Sequence, residues 1–159
     1  MKDDTRGFHS MMAIPAELSL RRTPDGIRLA FQPVRELDAV RDEPLFLPRR
    51  SDSAEFPLAD TPCELIFCCK PNQPLTLTLG GTVLTAENAR LHIQPVLGQD
   101  AVDAHLDVNE PIRVIVDRGV IEVFANGGTF WAALEAEGDL LTKTVSIAGA
   151  EGLKVYPLH

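Results

Sequence analysis

Apolar and polar residues alternate with a period of two through most of the chain, the pattern of strands that have one face in a core and the other in water. The plainest case is Leu75-Thr-Leu-Thr-Leu79, with leucines on one side and threonines on the other. Residues 17–22 alternate, Thr23-Pro-Asp-Gly26 supplies a turn, and residues 27–34 resume the alternation, which predicts a hairpin. Further strands are predicted over 63–70, 82–85, 90–94, 112–117, 120–125, 129–134, 143–147 and 153–156, separated by Gly, Pro, Asn and Asp. About ten short strands with punctuating turns predict an all-β, two-sheet antiparallel sandwich of the jelly-roll or lectin-like kind. A single domain is expected over 12–159, preceded by a lead-in over 1–11. One short helical fragment is expected at 35–41. Residues 49–59 and 98–110 read as loops, the second carrying Asp100, Asp103, Asp107 and Glu110.

The most informative stretch is DRGVIEVFANGG, from Asp117 to Gly128. If Asp117-Arg-Gly-Val120 makes a tight two-residue turn, strands 112–117 and 120–125 pair, and pleating sorts their side chains into two sets. Ile112, Val114, Val116, Ile121, Val123 and Ala125 form a wholly apolar set, expected to face the core. Arg113, Ile115, Asp117, Val120, Glu122 and Phe124 form a mixed set, expected to face water. Glu122 then lies opposite Ile115 with Arg113 on the diagonal, close enough for a surface ion pair worth about 1 kcal/mol or less. A catalytic pair would need two carboxylates flanking one sugar bond at about 5 to 9.5 Å inside a pocket. A flat hairpin face has no such pocket, so Asp117 and Glu122 read as structural.

Composition narrows the function. The 159 residues are 45% hydrophobic and 24% charged, ordinary for one globular domain with a single core. A net charge of -8 leaves no basic stripe for a phosphate backbone, so nucleic acid is not expected as a partner. The N-terminal stretch lacks the apolar run of roughly 7 to 15 residues that a signal peptide needs. No segment approaches the ~20 apolar residues of a membrane span, so no membrane is expected. Cys63, Cys68 and Cys69 are odd in number, and neighbours on a strand point to opposite faces, so they make no disulfide framework and a reducing cytoplasm is expected. His9, His92, His105 and His159 are widely separated, and no metal or cofactor is expected. The acidic stretch 98–110 lacks the fixed alternation and central glycine of a calcium loop and reads as a solvated connection.

Two segments then resemble the signatures of the C-terminal β-sandwich of glycoside hydrolase family 32, which contains invertases, levanases, inulinases and sucrose-6-phosphate hydrolases. MMAIPAELSLRRTPDGIRLAFQPVREL is similar to the family's join between propeller and sandwich, through Met12, Pro15, Glu17, Leu18, Leu20, Gly26, Leu29, Pro33, Val34, Glu36 and Leu37, with Ala16 where arginine is usual. IRVIVDRGVIEVFANGG resembles the second signature through Asp117, Arg118, Glu122, Val123, Phe124, Asn126 and Gly128. The resemblance implies that the chemistry belongs to an N-terminal five-bladed propeller whose Asn-Asp-Pro-Asn-Gly, Arg-Asp-Pro and Glu-Cys motifs do not occur in this chain. Arg41-Asp-Glu-Pro44 interrupts the second of these, and Cys63-Glu64 reverses the third.

By resemblance the chain is a non-catalytic accessory module of a fructan- or sucrose-processing hydrolase, not an enzyme by itself. The alternative is a fructan-binding module that works alone. For that reading the candidate ligand residues are Arg113, Glu122 and Trp131, although one Trp, one Tyr and seven Phe make a chain poor in the aromatic platforms sugar recognition uses. Phe130 and Trp131 adjoin the Asn126-Gly-Gly128 turn; one should face out and the other in, and Trp131 reads as a packing residue. Ile115, Val120 and Phe124 would form an apolar patch among charges on the outer set. That predicts contact with a catalytic propeller domain or subunit, or self-association, unless a loop of the chain such as 49–59 covers the patch.

Overall fold

The computed structural model describes residues 12–45, 53–58, 60–96, 99–136 and 138–159. The lead-in expected over 1–11 lies outside them, as do residues 49–52, 59 and 98 of the two expected loops.

Two antiparallel sheets make the sandwich. One has five strands, in the order β11 (Phe130–Glu135), β10 (Val120–Ala125), β9 (Ile112–Asp117), β4 (Cys63–Cys69) and β13 (Ala150–Pro157). The other has six, in the order β3 (Ser53–Pro57), β12 (Thr144–Ala148), β5 (Leu75–Leu79), β6 (Thr82–Glu87), β7 (Arg90–Gln94) and β8 (Val102–His105). A separate two-stranded hairpin, β1 (Ala16–Thr23) and β2 (Gly26–Pro33), precedes both. Its turn closes at the expected place, with Thr23 opposite Gly26 and the Thr23 hydroxyl donating to the Gly26 carbonyl at 2.9 Å.

The core lies between the sheets. Leu75, Leu77 and Leu79 of β5 meet Leu65 and Phe67 of β4 and the whole apolar set of β9 and β10: Ile112, Val114, Val116, Ile121, Val123 and Ala125. The expected register holds, with Val120 opposite Asp117 and Glu122 opposite Ile115.

Three expectations need correction. Residues 53–57 and 102–105, read as loops, are strands β3 and β8 at the two edges of the six-stranded sheet. Short edge strands carry little periodicity, and Ser, Asp and Pro are common on them because they discourage further pairing. The fragment at 35–41 is a 3-10 turn over Arg35–Val40. Most consequential, the mixed set of β9 and β10 does not face water. Glu122 is 1% exposed, and Ile115 and Phe124 are buried with it.

Residues 12–45 account for that burial, because this segment crosses the outer side of the five-stranded sheet from one edge to the other. It starts near β10, where the Ile14 N–H donates to Glu122 Oε1 at 2.8 Å. It passes through the hairpin, which closes back on itself as the Val34 N–H donates to the Pro15 carbonyl at 3.2 Å. It ends along β13, with the Asp42 and Leu45 N–H groups donating to the Pro157 and Val155 carbonyls at 2.9 and 2.8 Å. The five-stranded sheet is thus the middle layer of a locally three-layered molecule.

Candidate functional site

Residues opposite one another in a sheet share a face, so the register maps the side of the sheet beneath this strap. One row runs Trp131, Phe124, Arg113, Ile66, Lys154, and the next runs Ala133, Glu122, Ile115, Glu64, Tyr156. Two carboxylates, Glu122 and Glu64, lie in one row with Ile115 between them. Both are buried, and Glu64 has no exposed surface at all.

Each carboxylate is saturated by donors. Glu64 Oε1 accepts from Arg113 Nε at 2.6 Å and lies 2.5 Å from Arg113 Nη2, while Arg41 Nε donates to Oε2 at 2.5 Å. Arg41 comes from the strap. It also pairs with Asp38 at 2.6 Å and sits over the Tyr156 ring, 5.0 Å from its centre. Burial alone would lower the pKa of Arg41, but the bond to Glu64 and the charges of Glu64, Asp38 and Tyr156 more than reverse this and raise it. Glu122 takes neutral donors instead: Ile14 N–H on Oε1 and the Trp131 indole N–H on Oε2 at 3.1 Å.

Arg113 therefore pairs with Glu64 and not, as expected, with Glu122. Sequence reasoning missed Glu64, although one signal pointed to it. Cys63-Glu-Leu-Ile-Phe-Cys-Cys69 is an almost continuous apolar run, which marks a strand covered on both faces. A glutamate within such a run needs buried cations. Below Glu64, the Cys63 thiol faces the core, and burial with the added charge of Glu64 pushes its pKa up to about 12.

The Asn126-Gly-Gly128 turn anchors the hairpin. Gly128 has φ +92°, and a Cβ there would stand 2.5 Å from the Phe31 carbonyl oxygen; a Cβ on Gly127 would strike the Arg21 guanidinium. Gln32 Nε2 donates to the Gly127 carbonyl at 3.0 Å, and Arg21 pairs with Glu110. Asn126, at φ +54°, accepts the Asp107 N–H on Oδ1 and donates from Nδ2 to the His105 carbonyl, each at 2.8 Å. Asp117 stays exposed at its turn and accepts the Arg118 N–H at 2.7 Å; Arg118 reaches Asp139 at 2.7 Å. Apart from Val123, which lies in the core, the residues that carry the second signature thus hold turns, or hold the strap that carries the first.

The ligand and contact residues expected from the sequence lie on neighbouring rows of this face of the sheet. Arg113 and Glu122 are bound as described. Trp131 is 36% exposed, and its ring stacks on Phe31 at 5.4 Å and on Phe124 at 6.1 Å. Phe130 packs against the core, so the neighbouring pair does divide between faces. The apolar patch expected at Ile115, Val120 and Phe124 is corrected: Ile115 and Phe124 are buried beneath the strap and Val120 is partly buried. A depression of about 250 Å³ lined by Arg90, Asp103, Ala104 and His105 belongs to the other sheet. Among the described residues no group of three His, Cys, Asp or Glu side chains is placed to hold a metal ion, and no helix is long and apolar enough to cross a membrane.

No protein-family model matches the chain, and neither does any curated protein sequence. Solved structures do. An exo-inulinase from Aspergillus awamori superposes with a TM-score of 0.76 at 15% identity, over 98% of this chain and 37% of that one. The fold is one that family 32 glycoside hydrolases carry as part of a longer chain. A family 32 glycoside hydrolase from Bifidobacterium adolescentis matches with a TM-score of 0.67 at 19% identity, over 92% of this chain and 25% of its own. A sucrose-6-phosphate hydrolase from Lactobacillus gasseri matches with a TM-score of 0.69 at 13% identity, over 89% and 33%. The chain therefore spans between a quarter and two-fifths of the length of the structures it matches.

Proposed function

We propose that this chain is a non-catalytic accessory β-sandwich of a fructan- or sucrose-processing glycoside hydrolase, with a structural and docking role toward a catalytic domain. The observation that carries the reading is the state of the two buried carboxylates. Among the described residues Glu64 and Glu122 are the most buried acids, the setting in which a catalytic acid is tuned, and both are bound by donors beneath the strap. The missing propeller motifs and the partial coverage of the matched enzymes named above support the same conclusion.

Two assays test it. The purified chain should leave sucrose, inulin and levan intact; hydrolysis that disappears on replacing Glu64 or Glu122 would overturn the reading. Added to a family 32 catalytic domain whose own sandwich has been deleted, the chain should raise that domain's melting temperature. No thermal shift, together with retention of the chain on levan, would replace the docking role with fructan binding.

A further inference from the structure

One asparagine side chain ties the two sheets together. β8 is the last strand of the six-stranded sheet, and the Leu106 N–H that follows it turns inward to the Ala89 carbonyl at 2.8 Å. Alternation along the chain therefore turns the carbonyl of His105 and the N–H of Asp107 outward, where a further strand would pair. Asn126 takes both groups: Nδ2 donates to the His105 carbonyl and Oδ1 accepts the Asp107 N–H, each at 2.8 Å. Asn126 belongs to the turn between β10 and β11 of the other sheet, and the next residue of that turn holds the hairpin, through Gln32 on the Gly127 carbonyl at 3.0 Å. All three layers thus meet at Asn126-Gly127.

The residue that follows makes this asparagine reactive. A peptide nitrogen can attack the side-chain amide carbon of the residue before it, and glycine, without a Cβ, leaves that approach least hindered. Of the four asparagines only Asn126 precedes a glycine; Asn72, Asn88 and Asn109 precede Gln, Ala and Glu. We propose that Asn126 is a site of spontaneous deamidation that the folded chain keeps closed through its bonds to His105 and Asp107. In the reaction the Gly127 nitrogen loses its proton and bonds to Asn126 Cγ, the Cγ–Nδ2 bond breaks, and ammonia leaves with that nitrogen. Water then opens the resulting succinimide at either carbonyl, restores the N–H, and yields aspartate or isoaspartate with one added negative charge. Closing the ring turns Cγ toward Gly127, which pulls Nδ2 and Oδ1 off both partners, so the step waits for the clamp to open. Either product keeps it from closing again. Aspartate sets an acceptor against the His105 carbonyl where a donor was. Isoaspartate lengthens the main chain by one carbon beside Gly128, where even a Cβ would stand 2.5 Å from the Phe31 carbonyl oxygen. A transient opening thereby becomes permanent damage. The inference does not depend on the docking role above.

Timed peptide mapping by mass spectrometry at mildly alkaline pH, with and without denaturing urea, tests it by counting conversion at each asparagine. In urea Asn126 should convert about tenfold faster than Asn72, Asn88 and Asn109. In the folded chain its conversion should slow at least about tenfold, since only the open fraction reacts. That slowing should agree within about threefold with the protection of the Asp107 N–H against hydrogen exchange, because Oδ1 of Asn126 is what holds that proton. Reacted chains, separated by their added charge, should melt several degrees below unreacted ones. Equal rates at Asn126 with and without urea overturn the proposal, as does an Asp107 N–H that exchanges unprotected. So do three other asparagines that keep pace with Asn126 in urea, or a reacted chain that melts with the unreacted one.

Discussion

Glu122 Oε1 accepts the backbone N–H of Ile14 across 108 residues of sequence. It is one of the points at which the two signature segments touch, with Gln32 on the Gly127 carbonyl another. A buried carboxylate with a main-chain donor on one oxygen and an indole donor on the other fixes where the strap begins, and an unpaired buried donor costs about 1 to 3 kcal/mol. Glu122→Ala, which orphans both donors, should destabilise the fold by about 2 to 4 kcal/mol in urea titrations. Glu122→Gln, which keeps one acceptor, should cost about half as much. Amide exchange at Ile14 and along β2 should accelerate more than exchange in β5. Uniform acceleration in all strands would mean that Glu122 supports the sheet and not the strap.

Glu64 predicts a sharper loss. Removing one partner of a buried ion pair leaves the others uncompensated, and such changes cost about 3 to 5 kcal/mol. Arg41 and Arg113 remain about one-fifth exposed, so their stranded charges can partly reach water, and about 3 kcal/mol is expected for Glu64→Ala. Arg41→Ala should cost less, because Arg113 still neutralises Glu64. An Arg41→Ala variant less stable than Glu64→Ala would show that the stacking of Arg41 on Tyr156 matters more than the charge.

Why the core was legible and the strap was not follows from the same strands. The set from Ile112 to Ala125 is apolar without exception, so period-two reasoning places it correctly and fixes the register. The opposite set mixes Arg113 and Glu122 with Ile115 and Phe124, and pattern alone reads a mixed face as wet. What covers it comes from some 80 to 110 residues earlier in the chain, a distance across which alternation carries no information. Two local signals remained. Half of the supposedly polar set was apolar, and the run from Cys63 to Cys69 did not alternate. Both are what a sheet buried on two faces shows. The hairpin was legible from Thr23-Pro-Asp-Gly26, yet nothing in its alternation indicates which face docks.

Gly128 separates the role of the hairpin from that of the sandwich. At φ +92° any side chain is strained, and a Cβ would press on the Phe31 carbonyl oxygen, so Gly128→Ala should cost more than about 1 kcal/mol. Gly138 has φ +72° but no atom near its missing Cβ, so Gly138→Ala carries the backbone strain without the collision. Gly128→Ala should therefore be the less stable of the two. It should also increase the solvent exposure of Trp131, seen as a red-shifted fluorescence maximum, because displacing β2 removes Phe31 from the indole. Identical spectra for the two variants would mean that the hairpin does not rest on this turn.

Cys63 makes the stability depend on alkaline pH. Burial first, and the neighbouring Glu64 charge second, raise the thiol from its ordinary 9.0 to about 12, so the fold holds the protonated form. Between those values the unfolded chain releases a proton that the folded chain keeps. Stability is therefore unaffected by this group below about pH 9 and falls as pH rises toward about 12, by about 4 kcal/mol in all. The contribution of this thiol is isolated by comparison with Cys63→Ala. That variant should lose about 1 to 2 kcal/mol at neutral pH from the space it leaves in the core, and then decline less steeply than wild type between pH 9 and 11. Thiol labelling of the native chain at pH 8 gives a second measurement. Cys68 and Cys69 are half-buried and should react first, whereas Cys63 should react only as fast as the fold opens. Parallel alkaline unfolding curves for wild type and Cys63→Ala, or labelling of Cys63 as fast as its neighbours, would show that this thiol is not held protonated in the core.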